Sequence, residues 1–254
     1  MDSVQDTCTQ CISPSSLLLP PSSNKKTKVK NMLETVKDFD YQVLDAINFP
    51  GPAAYDAFWF AYSDKITWIP FVVVILYCLF RHTNWRSGLL LLIAVGLLFF
   101  LSDYALAHLK PIFCRLRPSH DANIMNILHY VNNYHGGQYG FPSNHASNGF
   151  ATATMLTLLY RRRLVAACAF LWAIGSCYSR MYLGVHFPTD ILVGAIAGTC
   201  IAVAVYYLYR YVYQRQALKW NLPPFEQQFG SREPWLIMVV FVLTIIALFV
   251  MVIF

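Results

Sequence analysis

The stretch Leu89-Leu90-Leu91-Leu92-Ile93-Ala94-Val95-Gly96-Leu97-Leu98-Phe99-Phe100-Leu101-Ser102-Asp103-Tyr104-Ala105-Leu106-Ala107-His108-Leu109 decides the class of this protein. It is almost unbroken apolar sequence, and a helix of about 20 such residues spans the hydrocarbon core of a bilayer. Only Asp103 and His108 interrupt it strongly, and Lys110 stands at its end. Outward from it, similar apolar runs occupy residues 66–80, 146–160, 164–178, 190–211 and 235–254. The expected fold is therefore all-α: a polytopic membrane helical bundle of about six transmembrane helices.

Composition agrees. Of 254 residues, 57% are hydrophobic and 13% charged, against roughly 25% charged in soluble domains. This argues against a cytosolic enzyme, a disordered regulator and a nucleic-acid binder. Cys78, Cys168, Cys177 and Cys200 lie in the apolar runs and read as small hydrophobes. Cys8-x-x-Cys11 has no second pair with which to build a zinc site.

Four segments follow. Residues 1–31, rich in Ser, Pro, Thr and Lys, read as a disordered tail, with Met32 a candidate natural start. Residues 32–64 read as amphipathic helices lying in the membrane interface, interrupted at Gly51-Pro52. Residues 65–215 form the core, and 216–254 a loop plus a final transmembrane helix. The basic residues orient the bundle: Arg81 and Arg86, Arg161, Arg162 and Arg163, and Arg210, Arg215, Lys219 and Arg232 fall on one face. The positive-inside rule makes that face cytoplasmic. Loops 110–141 and 179–189 then lie outside.

Those two loops concentrate the polar chemistry. The first opens Lys110-Pro111-Ile112-Phe113-Cys114-Arg115-Leu116-Arg117-Pro118 and closes Gly140-Phe141-Pro142-Ser143-Asn144-His145. The second reads Ser179-Arg180-Met181-Tyr182-Leu183-Gly184-Val185-His186-Phe187-Pro188-Thr189-Asp190. Lys110, Arg117 and Arg180 are permanent cations at a low-dielectric boundary, costly there without an anionic partner. Arginine's planar fork suits phosphate oxygens. Ser143-Asn144 opens an apolar helix, whose free N–H groups also favour an anion. Asp190 follows His186 by four residues, close enough to orient its ring and leave the other nitrogen free to attack phosphorus. His145 can protonate the leaving oxygen. No acidic cluster stands ready for Mg²⁺, so metal-independent chemistry without a cofactor is expected. Singly, each residue has a structural explanation: snorkelling for Lys110 and Arg180, helix capping for Ser143 and Asp190. Jointly they converge on one face.

The array resembles the three-part signature of the type 2 phosphatidic acid phosphatase superfamily. Lys110-x6-Arg117-Pro118 matches its first part and Ser179-Arg180-x5-His186-x3-Asp190 its third. Pro142-Ser143-Asn144-His145 resembles the second, with Asn144 where Gly is usual. The resemblance implies a phosphohistidine on His186 and His145 as proton donor. It places Lys110, Arg117, Ser143, Asn144 and Arg180 on the phosphate.

The expected function is that of a lipid phosphatase in a bacterial inner membrane, with its active site facing the periplasm. Its partners would be a lipid phosphate substrate and the bilayer, with no nucleic acid. Undecaprenyl diphosphate is the first-choice substrate. Phosphatidylglycerophosphate or phosphatidic acid is next, then lipid A 1-phosphate. From other classes come a vanadium haloperoxidase and a non-catalytic lipid-binding or transport protein. The segment 111–141 is long enough to act as a lid.

Overall fold

The computed structural model describes residues 23–81, 83–229 and 234–253. Nine α-helices account for most of them: α1 (Ser23–Ile47), α2 (Ala53–Ser63), α3 (Ile69–Phe80), α4 (Trp85–Phe99), α5 (Lys110–Phe113), α6 (Asn144–Tyr160), α7 (Arg163–Tyr182), α8 (Pro188–Trp220) and α9 (Pro234–Ile253). Among the described residues there is no strand, only an isolated antiparallel bridge between Leu116 and Tyr139. The expected all-α membrane bundle is what is found.

Each expected span is helical, but the count of six is approximate. Four helical stretches are long and apolar enough to cross a membrane: Trp85–Phe113, Arg163–Tyr182, Pro188–Trp220 and Trp235–Ile253. A fifth arises if Ala53–Ser63 and Ile66–Phe80, bent by 69°, form one broken span. α6 falls short at 17 residues, and it is buried along most of its length. An interior helix needs no lipid-facing stripe, so its sequence tolerates Ser147, Asn148, Thr152 and Thr154. α8 also runs past the expected end at residue 211, to Trp220.

The N-terminal readings change too. Residues 1–22 of the expected tail lie outside the described residues, and from Ser23 onward the chain is helical. α2, in the segment expected at the membrane interface, packs on α7 and α9, with Tyr62 buried against Trp68 and the Tyr62 ring against Gly175. Its aromatic residues make it part of the core.

α6 and α8 form the tightest pairing, and small residues cause it. A Cβ on Gly194 would lie 2.4 Å from the Ser143 carbonyl oxygen, and one on Gly198 would lie 2.1 Å from that of Ser147. This Gly-x-x-x-Gly spacing lets the two backbones touch. Gly149 meets Ala173 of α7 in the same way. The Ser143 N–H donates to the Asp190 carbonyl (3.1 Å), so the N-terminal ends of α6 and α8 are joined directly. Leu92, Ile93, Leu171, Ile174, Leu192 and Ile196 point outward, as a lipid-facing surface requires.

Candidate active site

Five chain segments meet at the end of the bundle where α6 and α8 begin. His186 lies in the short loop between α7 and α8, fully buried. Its Nδ1 is 3.5 Å from Asp190 Oδ2. Neither ring nitrogen has a hydrogen-bonding protein partner. Burial, reinforced by Arg117, Arg180, Lys110 and Arg115, holds its imidazole well below the usual value and therefore neutral. Four cations therefore surround one buried, neutral histidine.

Asp190 is equally buried. Its Oδ2 accepts the Phe187 N–H (3.1 Å), tying the first turn of α8 back to the residue before it. Its Oδ1 accepts from Arg115 Nη1 at 2.7 Å. Asp190 thus caps α8 and at the same time stands 3.5 Å from the His186 ring.

Each arginine is anchored in place. Arg117 Nε donates to the Tyr139 carbonyl (3.2 Å) and Nη1 to that of Val185 (3.3 Å). Burial, with Arg180 nearby, lowers its guanidinium from the usual range. Two glycines make room for it. A Cβ on Gly136, whose φ is +67°, would lie 2.8 Å from Arg117 Nη1. One on Gly140 would meet Asp190 Oδ2 at 2.8 Å. Arg180, at the end of α7, donates to Ser63 Oγ (2.6 Å) and Tyr134 Oη (3.0 Å) and lies against the Tyr134 ring. Burial pushes the Tyr134 phenol up, but Arg180's charge and hydrogen bond outweigh it and bring it below its usual value.

Ser143 caps α6, its Oγ accepting the Ala146 N–H at 3.4 Å. Asn144 donates through Nδ2 to the Asp103 carbonyl (2.8 Å) and Oδ1 (2.9 Å). Asp103 is delivered by a π-helical turn, Phe100–Ala105, that continues α4. His145 sits one residue on, within the field of Arg180, His186, Lys65 and Arg117. Lys110 shares the field of Arg117, Asp190, Asp103 and Arg180. All eight residues picked out by sequence therefore lie in one neighbourhood.

Asp40, Ser63, Lys65 and Tyr134 were not singled out by sequence, and Arg115 and Thr189 stand in its two loops without an assigned role; all contribute contacts or charge here. The loop 114–143 closes over the site through Tyr134 and is pinned to α1 by Asn48. The Asn48 side chain accepts the His129 N–H (2.8 Å) and donates to the His129 carbonyl (2.9 Å). His129 pairs its Nε2 with Asp56 at 2.9 Å. A cavity of about 400 Å³ lies beside His145 and Asn144 and is lined also by Lys65 and Asp103. It runs between α3, α4 and α6 to Leu79 and Leu159.

Residues 87–214 match the family model described as PAP2 superfamily. A lipid A 4'-phosphatase of Bacteroides thetaiotaomicron is 37% identical over 66% of this chain and 75% of its own length. An undecaprenyl-diphosphatase of Sulfolobus acidocaldarius is 27% identical, covering 56% of this chain and 63% of that protein. In three dimensions the chain is similar to a phosphatidylglycerolphosphate phosphatase from Bacillus subtilis. The TM-score is 0.53 at 21% identity, over 71% of this chain and 87% of that one, a likeness of fold alone.

Proposed function

This chain belongs to the PAP2 superfamily and is a membrane lipid phosphatase, and from that premise we propose that it removes a phosphate of the lipid A 4'-phosphate class, on the periplasmic face of a bacterial inner membrane. The observation that carries the substrate is the 37% identity to a lipid A 4'-phosphatase, against 27% to an undecaprenyl-diphosphatase. Undecaprenyl diphosphate, first choice from the sequence, becomes the second reading.

In the mechanism, Lys110, Arg117 and Arg180, with the Ser143 hydroxyl and the free N–H of Asn144 at the start of α6, bind the phosphate oxygens. Neutral His186 attacks phosphorus through Nε2. The P–O bond to the lipid breaks, and His145 gives its proton to the departing oxygen. The His186 ring becomes a phosphorylated imidazolium whose Nδ1–H faces Asp190, and the carboxylate offsets the new charge. Water then attacks the phosphohistidine with His145 taking its proton, releasing inorganic phosphate and restoring both histidines. The 3.5 Å approach of His186 to Asp190 supports these roles. So does the cavity beside His145, which gives a lipid tail a place next to the reacting phosphate.

Phosphate release by the detergent-purified protein, with EDTA present, tests this across lipid A, undecaprenyl diphosphate, phosphatidylglycerophosphate and phosphatidic acid. Fastest release from lipid A, with loss of its 4'-phosphate by mass spectrometry, is expected. Preference for undecaprenyl diphosphate would replace the first reading with the second, and full inhibition by EDTA would overturn the metal-independent mechanism.

A further inference from the structure

Asp40 lies in α1, more than forty residues before the segment that matches the family model, yet it is fully buried. A buried carboxylate is tolerated only when paired and hydrogen-bonded, and Asp40 spends both oxygens at the catalytic end of the bundle. Its Oδ1 accepts the Thr189 N–H (3.0 Å) and its Oδ2 the Thr189 hydroxyl (2.6 Å). Oδ2 also pairs with Arg115 Nη2. The other guanidinium nitrogen of Arg115, Nη1, reaches Thr189 Oγ1 (2.6 Å) and Asp190 Oδ1 (2.7 Å). The guanidinium plane rests over the Phe187 ring, 4.8 Å from its centre. One cation is therefore shared between two buried carboxylates, one of them the partner of His186.

We infer that Asp40 is a positioning residue for the phosphatase reaction, acting through Arg115 to keep the charge of Asp190 available to His186. The charges show why. Asp40, Arg115 and Asp190 together carry one net negative charge. When His186 becomes a phosphorylated imidazolium, that charge is its counter-ion. With Asp40 neutral, Arg115 and Asp190 would neutralise each other, and the imidazolium would face Arg115, Arg117, Arg180 and Lys110 without compensation. This inference rests on His186 being the nucleophile.

Asp40→Asn in the full-length protein tests it, with the exposed Asp38→Asn on the same helix as control. The assay is phosphate release from whichever lipid of the panel the parent turns over fastest. The expected result is a kcat lower by about tenfold or more, KM within about twofold, and an acid limb of kcat/KM moved to lower pH. A partly unfolded sample would lower kcat but leave the limb in place. The double variant Asp40→Asn/Arg115→Gln removes both charges and frees Asp190, so it should recover activity relative to Asp40→Asn and return the limb toward its parental position. It leaves the Asp190 carboxylate held by the Phe187 N–H, and if the single variant does not fold, the position of the double variant's acid limb decides: parental supports the inference, shifted to lower pH overturns it. A parental limb in Asp40→Asn, or a double variant with losses that simply add, overturns the inference. Retained turnover in His186→Ala would instead overturn the nucleophile assignment beneath it.

Discussion

His186 shows how one residue's surroundings set its chemistry. Burial and four neighbouring cations keep it neutral, the state a nitrogen nucleophile needs. Its value lies below the usual 6.5, so protonation removes activity only as pH falls through that depressed value. The acid limb of kcat/KM is expected below pH 6.5, read from a pH–rate profile; a limb above 7 would contradict it. His186→Ala should lose turnover by about a thousandfold or more in the phosphate-release assay. Tyr134→Phe removes one donor–acceptor pair from Arg180, costing about 1 kcal/mol, so KM should rise several-fold with little change in kcat. The eight sequence-derived residues were legible because cations and histidines at the ends of apolar runs have few other uses. Asp40, Ser63 and Tyr134 were not. Each reaches its partner across at least 46 positions of chain, and an Asp, Ser or Tyr outside a motif carries no local signal of that.

At the scale of elements, the α6–α8 contact places Ser143 against Asp190. Gly198→Ala would drive a Cβ into the Ser147 backbone, where no side chain can rotate away. The cost expected from such overpacking is about 1–3 kcal/mol, visible as a lower Tm in detergent together with reduced turnover. An unchanged Tm would mean the helices part freely. The helices themselves were legible from hydrophobic runs, with two informative exceptions. α6, which begins at the Ser143-Asn144-His145 turn, carries Ser147, Asn148, Thr152 and Thr154 along its length, because protein surrounds it. α2 falls in a segment that reads as interfacial from the partly helical rhythm of Val36, Phe39, Val43, Leu44 and Ile47, and in the fold its Asp56 is engaged by His129 and Tyr182. Periodicity reports that a face is polar, not whether water or a neighbouring side chain meets it.

Across the whole molecule, Arg161, Arg162 and Arg163 close the end of α6 opposite His145. A single cysteine placed at position 162 should therefore react with a membrane-impermeant thiol reagent only after the cells are opened, while one at position 123 should react in intact spheroplasts. The reverse pattern would invert the orientation proposed above. The cavity beside His145 adds a consequence of its own. Its shaft follows α6 from Asn144 to Leu159, about 22 Å at 1.5 Å per residue. A hydrocarbon tail leaving the bilayer for this shaft trades one apolar medium for another and gains almost nothing in affinity. What a tail there would gain is depth: the shaft would act as a plumb line, fixing how far the phosphate stands from His145, which lines it. Tail length should thus tune kcat for substrates presented in bilayers. For short-chain monomers drawn from water it should instead tune KM, by about 0.8 kcal/mol for each methylene until the shaft is full.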